Sequence, residues 1–533
     1  MSKTHFIKST AIVSGFTALS RVLGLVRDML MAGVFGTSLY MSAFVVAFTI
    51  PNLFRRLFGE GALSASFIPV FIEVRHKEGE GPAWIMVRKV VTLLTLTLLA
   101  IVIAAMLVVT AASLWMDLGE KAALVMPLLR IMLPYTVFIC LAALSMAILN
   151  SYHHYAVPAF TPCLLNFVWI VAVLFICPRF TGDPMGQIGA VAWAVIAAGV
   201  LQLGVQIPQL VKYGYRPGLS FDWKDRRMIR ILTLMGPAAL GLAVTQFNVV
   251  IDRLLAIWIG PWAPAALFFS ERLIYLPLGV FAVALSTVLL PTFSGHMAVT
   301  DTVRMKSTLN RALRNLLFVM IPAAAGLLIL SGPIVEMIFE WGNFTRQSTR
   351  LTALALQFYA PGLVVFSLAK VFVPAYYAMQ DTRTPVRIGL YAVLLNLILN
   401  VTFVLTWPLY WKHAGLAFAT VLAEGFYALA LAVVLHRRIG SPGWRSIGSS
   451  VSLCAACTVM MGLTVVYVHS ALTLHPGILP LDGKLMQVAN VLISIAAGMA
   501  VYFGASAALK SSELADVAAA LRRRKPQTSS TNT

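Results

Sequence analysis

The chain has 533 residues, 59% of them hydrophobic and only 11% charged, with a formal net charge of +20. A soluble domain carries about 25% charged residues, and a water-soluble fold of this composition would expose large apolar patches, so a soluble enzyme is excluded and a bilayer is the solvent that suits the chain. The positive charge lies between apolar runs rather than on one face, which speaks against nucleic acid as a partner.

A spanning helix needs roughly 20 apolar residues, and about 14 such helices fit in the chain. Apolar runs ended by charge, Pro or Gly predict spans at 9–33, 40–73, 88–116, 122–149, 157–178, 185–212 and 230–258. Further spans follow at 264–296, 309–333, 347–379, 385–407, 413–437, 446–470 and 485–509. Lys3 and Lys8 precede the first run, but Arg21, Arg27 and Asp28 interrupt it, so it reads as a retained helix rather than a signal peptide. Spans two and eight are too long for one crossing and should be tilted, kinked or extended.

Lys and Arg concentrate in one alternate set of loops, which puts both termini in the cytoplasm. In the connection after span six, Phe221, Trp223, Met228, Ile229 and Ile231 interleave with Lys224, Arg226, Arg227 and Arg230. That pattern predicts an amphipathic helix lying on an anionic leaflet. The cysteines, Cys140, Cys163, Cys177, Cys454 and Cys457, sit in or beside apolar runs and read as small buried residues.

An internal repeat divides the chain. Ala62-Leu63-Ser64 with Pro69 and Phe71 recurs as Ala284-Leu285-Ser286 with Pro291 and Phe293; Leu164-Leu165-Asn166 recurs as Leu394-Leu395-Asn396; Asn150 matches Asp381. The predicted fold class is an all-α polytopic membrane protein with two pseudo-symmetric six-helix lobes around a central cavity, plus two extra C-terminal helices. The expected divisions are a first lobe at 1–215, an amphipathic linker at 216–229, a second lobe at 230–440, two further helices at 441–510 and a basic, disordered tail at 511–533.

Charges inside spans need an explanation, because each costs roughly 2.5–3.5 kcal/mol at a helix centre on insertion scales. Arg21 and Asp28 share a face of span one; Arg27 lies off that face, and Gly24 allows a bend that would bring both guanidiniums to one cavity. Arg272 begins the corresponding region of the second lobe, and arginine suits bidentate contact with phosphate oxygens. Arg55 and Arg56 either snorkel to the interface or pair with Glu60; Arg253 either pairs with Asp252 or snorkels. Glu271 is a local partner of a basic group or part of a site; Lys370 and Glu424 are buried partners or coupling residues. No P-loop, dinucleotide fingerprint or H-E-x-x-H appears, so the chain is not read as an enzyme, and transport would draw on an ion gradient, the membrane potential or the substrate's own gradient.

Four stretches carry a resemblance: SRVLGLVRD at 20–28, PNLFRRLFGEGA at 51–62, ERLIYLPLGVF at 271–281 and YAMQDTRTP at 377–385. With them the chain resembles the MurJ (MviN) family of lipid II flippases, in the multidrug/oligosaccharidyl-lipid/polysaccharide exporter superfamily. The resemblance implies fourteen helices and a cationic cavity that takes lipid II by alternating access. It also implies a groove on the last two helices for the lipid tail. Arg21, Arg27 and Arg272 match the family's cavity arginines, expected to hold the pyrophosphate. Arg55 matches a further arginine and Asp28 a gating acid, with Glu60 and Glu271 as pairing carboxylates. Asp252, Asn396 and Asn400 match a sodium site of some relatives, so sodium or proton coupling is the only cofactor expectation. Membrane lipids and the cell-wall synthesis machinery are the other implied partners, and the bacterial inner membrane the implied location. Ser42, Tyr275 and Asn400 stand where relatives carry acids. The rival reading is another exporter of the superfamily, for polysaccharide-linked lipids or drugs.

Overall fold

The protein is described from a computed structural model covering residues 3–57, 62–115, 119–222, 225–475 and 483–516. Glu60, Trp223, Lys224 and the tail beyond 516 lie outside the described residues. A bilayer core offers no water to satisfy backbone N–H and C=O groups, so the apolar runs close their hydrogen bonds internally as helices. In chain order these are α1 (Lys3–Phe35), α2 (Leu39–Phe54), α3 (Ala62–Glu78), α4 (Glu80–Trp115), α5 (Glu120–Met132), α6 (Tyr135–Ser151), α7 (Ala156–Val171), α8 (Pro184–Gly204), α9 (Ile207–Lys212) and α10 (Arg226–Ile259). Then come α11 (Ala263–Pro277), α12 (Val283–Ala298), α13 (Thr302–Ile329), α14 (Ser331–Phe339), α15 (Arg346–Tyr359), α16 (Gly362–Ala378), α17 (Arg383–Thr406), α18 (Lys412–Ile439), α19 (Trp444–Leu474) and α20 (Gly483–Ala508).

Among the described residues nine helices are long and apolar enough to cross a membrane; counting the bent pairs α5–α6 and α15–α16 as single spans makes 11. At the other three predicted spans lie α1, α2 with α3, and α10. The chain is a polytopic α-helical membrane protein.

The long predicted spans are broken where proline stands. After Pro51, residues 55–57 form a π-helical turn between α2 and α3; after Pro277, Leu278–Ala282 form another between α11 and α12. The two turns occupy corresponding places before the repeated Ala-Leu-Ser motif. The pairs α5–α6 and α15–α16 bend by 43° and 44°. Pro134 (φ −60°, ψ −25°) and Pro361 (φ −59°, ψ −27°) stand at these bends. Each lacks the N–H that would continue the ladder, and its ring crowds the preceding turn.

The helices form two compact units. The first holds the chain up to Ala265 together with Trp341–Ser348; the second holds Ala266–Glu340 and the chain from Thr349. In the first, α1 packs on α7, α2 on α5, α6 on α8, and α10 on α2 and α3. Thus α10, which the sequence repeat puts at the head of a second lobe, packs within the first unit. Its core stacks aromatics: Trp169 meets Phe44 at 5.1 Å and Phe48 at 5.6 Å between ring centroids, both edge-on. Such pairs contribute about 0.5–1.5 kcal/mol each beyond area burial.

The linker differs from expectation. Residues 216–222 are not helical, and the helix that begins at Arg226 runs straight on as α10. Charge pairing accounts for this. Lys89 Nζ binds Asp222 at 2.7 Å and Asp225 at 2.8 Å, and the Asp225 carboxylate caps α10 by accepting the Arg227 N–H at 2.8 Å.

The segment Trp341–Ser348 is clasped to the end of α1. Asn343 donates its backbone N–H to the Gly33 carbonyl at 2.7 Å and its amide to the Val34 carbonyl at 2.6 Å. Thr37 and Ser348 hydroxyls meet at 2.8 Å. Glycine permits the approach: a Cβ on Gly33 would stand 2.3 Å from the Trp341 ring, and one on Gly342 (φ +56°) 2.3 Å from the Gly33 carbonyl oxygen.

In the second unit α17 packs on α18, α16 on α12, α13 and α18, and α13 on α19, which pairs with α20. Gly498 of α20 lies so close to α19 that a Cβ there would stand 2.5 Å from Val465, the small-residue contact that membrane helices use. Beyond α20, Glu513 is buried and accepts from Arg314 (2.7 Å), Ser450 (2.6 Å) and Ser511 (2.7 Å). Burial alone would raise its pKa, but the hydrogen bonds from Ser450, Ser511 and its own backbone, with Arg314, hold it down at about 2. A depressed carboxylate stabilises the fold above its ordinary pKa of 4.5, and that contribution is lost as pH falls from there toward 2. Glu513→Gln should therefore loosen this segment at neutral pH, read as faster trypsin cleavage after Lys510. Equal cleavage of the two proteins at pH 7 would show that the carboxylate does not hold the segment. The five cysteines are all buried and unbridged.

Candidate functional site

The site in the first unit is built on α1, which runs unbroken through Gly24. The glycine faces the Asn166 amide of α7, where a Cβ would stand at 3.7 Å, an ordinary contact, and it does not break the helix. Arg27 is 8% exposed and Asp28 3%. The guanidinium binds Asp28 Oδ1 through Nε at 2.9 Å and Nη2 at 2.7 Å, and Nη1 donates to Asn166 Oδ1 at 2.9 Å. Its carbon lies 4.5 Å from the centre of the Trp169 ring, a cation–π contact strengthened by desolvation. Trp169 is fixed in turn by Phe44, Phe48 and a bond from its indole N–H to Met31 Sδ at 3.1 Å. Asn166 is oriented by donating to the Ser20 carbonyl at 2.9 Å.

Arg27 is thus a desolvated cation held by three partners, Asp28, Asn166 and Trp169, with its charge matched by Asp28. Arg21, two turns earlier on the same helix, is half-buried. Sequence reasoning named both arginines and Asp28 but missed Asn166 and Trp169. A signal for one was present: Asn166 belongs to the repeated Leu-Leu-Asn motif, and a buried amide recurring in both copies asks for a polar partner.

Arg55 and Arg56 follow the Pro51 break. Arg55 Nε donates to Asn52 Oδ1 at 2.9 Å, and Arg56 reaches Gln246 of α10 at 3.4 Å. Ser42 is fully buried and accepts the Ala265 N–H at 3.3 Å. On α10 Arg253 is 7% exposed, beside half-buried Asp252.

In the second unit Arg272 lies half-buried on α11, its guanidinium carbon 4.3 Å from the Phe268 ring centre. Glu271 accepts the Tyr359 hydroxyl at 3.1 Å, next to the α15–α16 bend. Tyr275 is 53% exposed. Asn396 and Asn400 are buried on one face of α17; Asn400 donates to Asn396 Oδ1 at 2.8 Å, and Asn396 to Thr420 of α18 at 3.4 Å. Asp252, grouped with them by resemblance, lies on α10 of the first unit. Among the described residues no group of three His, Cys, Asp or Glu side chains is placed to hold a metal ion.

The family profile of the lipid II flippase MurJ matches residues 31–482. The chain belongs to the MurJ family. A lipid II flippase MurJ of Burkholderia cenocepacia is 35% identical over 471 residues, covering 86% of this chain and 89% of the relative. A probable lipid II flippase MurJ of Rhizobium tropici is 33% identical over 533 residues, 98% of this chain and 97% of its own. Among solved structures, a lipid II flippase MurJ in an inward closed conformation is similar at a TM-score of 0.77 and 27% identity, over 94% of this chain and 98% of that one. An inward-facing multidrug resistance MATE family transporter of the MOP superfamily gives a TM-score of 0.66 at 14% identity, over 79% and 94%; it shares the fold.

Proposed function

We propose that this MurJ-family chain carries lipid II, the undecaprenyl-pyrophosphate-linked saccharide–pentapeptide, from the cytoplasmic to the periplasmic face of the bacterial inner membrane. Both termini lie in the cytoplasm, following the alternate distribution of Lys and Arg. The observation that carries the reading is Arg27: a buried guanidinium on α1, at a predicted span, held in fixed geometry by Asp28, Asn166 and Trp169. Ionisable groups inside membrane segments are costly, rare, and characteristic of substrate and ion pathways. Arg21, Arg27, Arg55 and Arg272 hold the pyrophosphate, and Asp28 exchanges Arg27 between carboxylate and substrate as the carrier alternates. Glu271 steadies the Arg272 region from Tyr359. The chemistry of arginine toward phosphate oxygens supports these roles.

The carrier needs no chemical step. A pyrophosphate leaving a negative-inside cell gains roughly 2.3 kcal/mol per charge per 100 mV if it crosses the full field. A monovalent cation, sodium or a proton, resets the empty carrier. Asn396 and Asn400 of α17 would supply oxygen ligands for sodium, and the neutral amides suit a single charge better than a double one. The cell-wall synthesis machinery and membrane lipids are its further partners.

The test measures lipid II on the outer face of the inner membrane in cells depleted of this protein. Depletion should remove it, and wild type should restore it. Arg21→Ala and Arg272→Ala at matched protein level should leave at least tenfold less, as expected for losing a charge-assisted contact worth about 1.5–3 kcal/mol. Normal outer-face lipid II on depletion, with no second flippase present, would give the protein a different substrate.

A further inference from the structure

A cavity of about 360 Å³ opens in the second unit where α13 leaves the apolar region, within the roughly 300–1,000 Å³ range of small-ligand pockets. Its wall is polar: Ser307, Arg311, Arg314 and Asn315 of α13, Ser446 of α19, and Asp516 beyond α20. Asn310 fixes the opposite rim by donating to the Pro442 carbonyl at 2.8 Å and the Gly443 carbonyl at 3.2 Å.

The two arginines are in different states. Arg314 is committed: Nε donates to buried Glu513 at 2.7 Å and Nη1 to Ser446 at 3.2 Å, while Nη2 meets Ser512. Glu513 balances its charge. Arg311 makes no hydrogen bond or ion pair with any described residue, and it is exposed. The one carboxylate among the described wall residues, Asp516, is exposed, and among the described residues its single contact is a long one, from the Asn315 amide at 3.5 Å. The wall therefore offers one available cation and one available anion, with hydroxyl and amide groups between them.

A simple anion would be repelled by Asp516, and a simple cation by Arg311. A zwitterion satisfies both. The charges of α13, Arg304, Lys306, Arg311 and Arg314, end where the apolar run from Leu316 begins, which puts the cavity at headgroup depth. Basic pockets between membrane helices at this depth are known to hold lipid headgroups. The cationic half of the ligand can also be narrowed. Quaternary ammonium groups are recognised by aromatic cages, and this wall has no aromatic ring. A primary ammonium, with three N–H donors, fits the carboxylate and the side-chain oxygens.

We propose that this cavity binds a phosphoethanolamine group, its phosphate on Arg311 and its ammonium on Asp516. The site is separate from the transport arginines and stands whether or not lipid II is the cargo; only its leaflet follows from the orientation given above. The group can come from a membrane phospholipid or from a soluble glycerophosphoethanolamine, which share this chemistry.

The full-length protein, purified in detergent, would be titrated with phosphatidylethanolamine, phosphatidylglycerol or phosphatidylcholine and the retained lipid read by native mass spectrometry. Wild type should retain the ethanolamine lipid in preference to the other two. Arg311→Gln should weaken that binding about tenfold, while Arg387→Gln, a control on α17, leaves it unchanged. Asp516→Asn should weaken the ethanolamine lipid and strengthen the glycerol lipid, a reversal that misfolding does not produce. Displacement by glycerophosphoethanolamine would assign the site to the headgroup alone, and resistance to it would assign the site to the lipid. Equal retention of all three lipids by wild type, or unchanged binding in Arg311→Gln, would overturn the proposal.

Discussion

Arg27→Ala is expected to abolish lipid II export and to destabilise the protein by about 3–5 kcal/mol, because it takes from the buried Asp28 carboxylate the guanidinium held against it at 2.7 Å. The double variant Arg27→Ala, Asp28→Ala should recover most of that stability, since it removes the buried carboxylate as well. It should not recover export if Arg27 is the group that meets the pyrophosphate. The two measurements, thermal unfolding in detergent and outer-face lipid II in cells, thus separate a structural arginine from a binding one. A double variant that regains both would reduce the pair to a structural ion pair. Asp28→Asn offers a third point: the amide keeps the shape, loses the charge and frees Arg27 to bind anions more tightly.

Gly342→Ala should cost roughly 2–4 kcal/mol, from a left-handed residue gaining a Cβ and from overlap in a tightly packed place. The overlap is with backbone: the added carbon would stand 2.3 Å from the Gly33 carbonyl oxygen, which itself accepts the Asn343 N–H at 2.7 Å. Neither partner can rotate away, so the clasp between α1 and the segment Trp341–Ser348 must open. The drop in melting temperature should be accompanied by new protease cleavage within that segment. Asn343→Ala, which removes only the side-chain bond to the Val34 carbonyl, should cost about 1 kcal/mol. Equal melting temperatures for Gly342→Ala and wild type would mean that the clasp contributes nothing to stability.

The helices were legible because the bilayer leaves a long apolar run no other way to satisfy its backbone. The breaks were half-legible. Spans two and eight were too long, but excess length does not say where a helix yields. Pro51 and Pro277 mark the places, and the chain answers each with a π-helical turn. The charged residues of α1 were legible as costly, hence as candidates. Their partners were not, because Asn166 and Trp169 come from a helix far along the chain; the repeated Leu-Leu-Asn motif marks Asn166 as an amide in need of a partner but not which group it meets. The linker was misread for a related reason. Alternating aromatic and basic residues suggest an amphipathic helix, but Lys89 draws Asp222 and Asp225 into ion pairs, and Asp225 caps α10 from Arg226 onward. Long-range pairing of this kind leaves no periodic trace.

The matching bends at Pro134 and Pro361 bear on what shapes a membrane span. Two segments that agree in backbone angles within a few degrees, and that bend by 43° and 44°, share little beyond the proline: Met-Leu-Pro-Tyr in one and Tyr-Ala-Pro-Gly in the other. The bend therefore follows the proline and not the residues around it: replacing Pro134 or Pro361 by alanine should straighten that span, and replacing its neighbours should not.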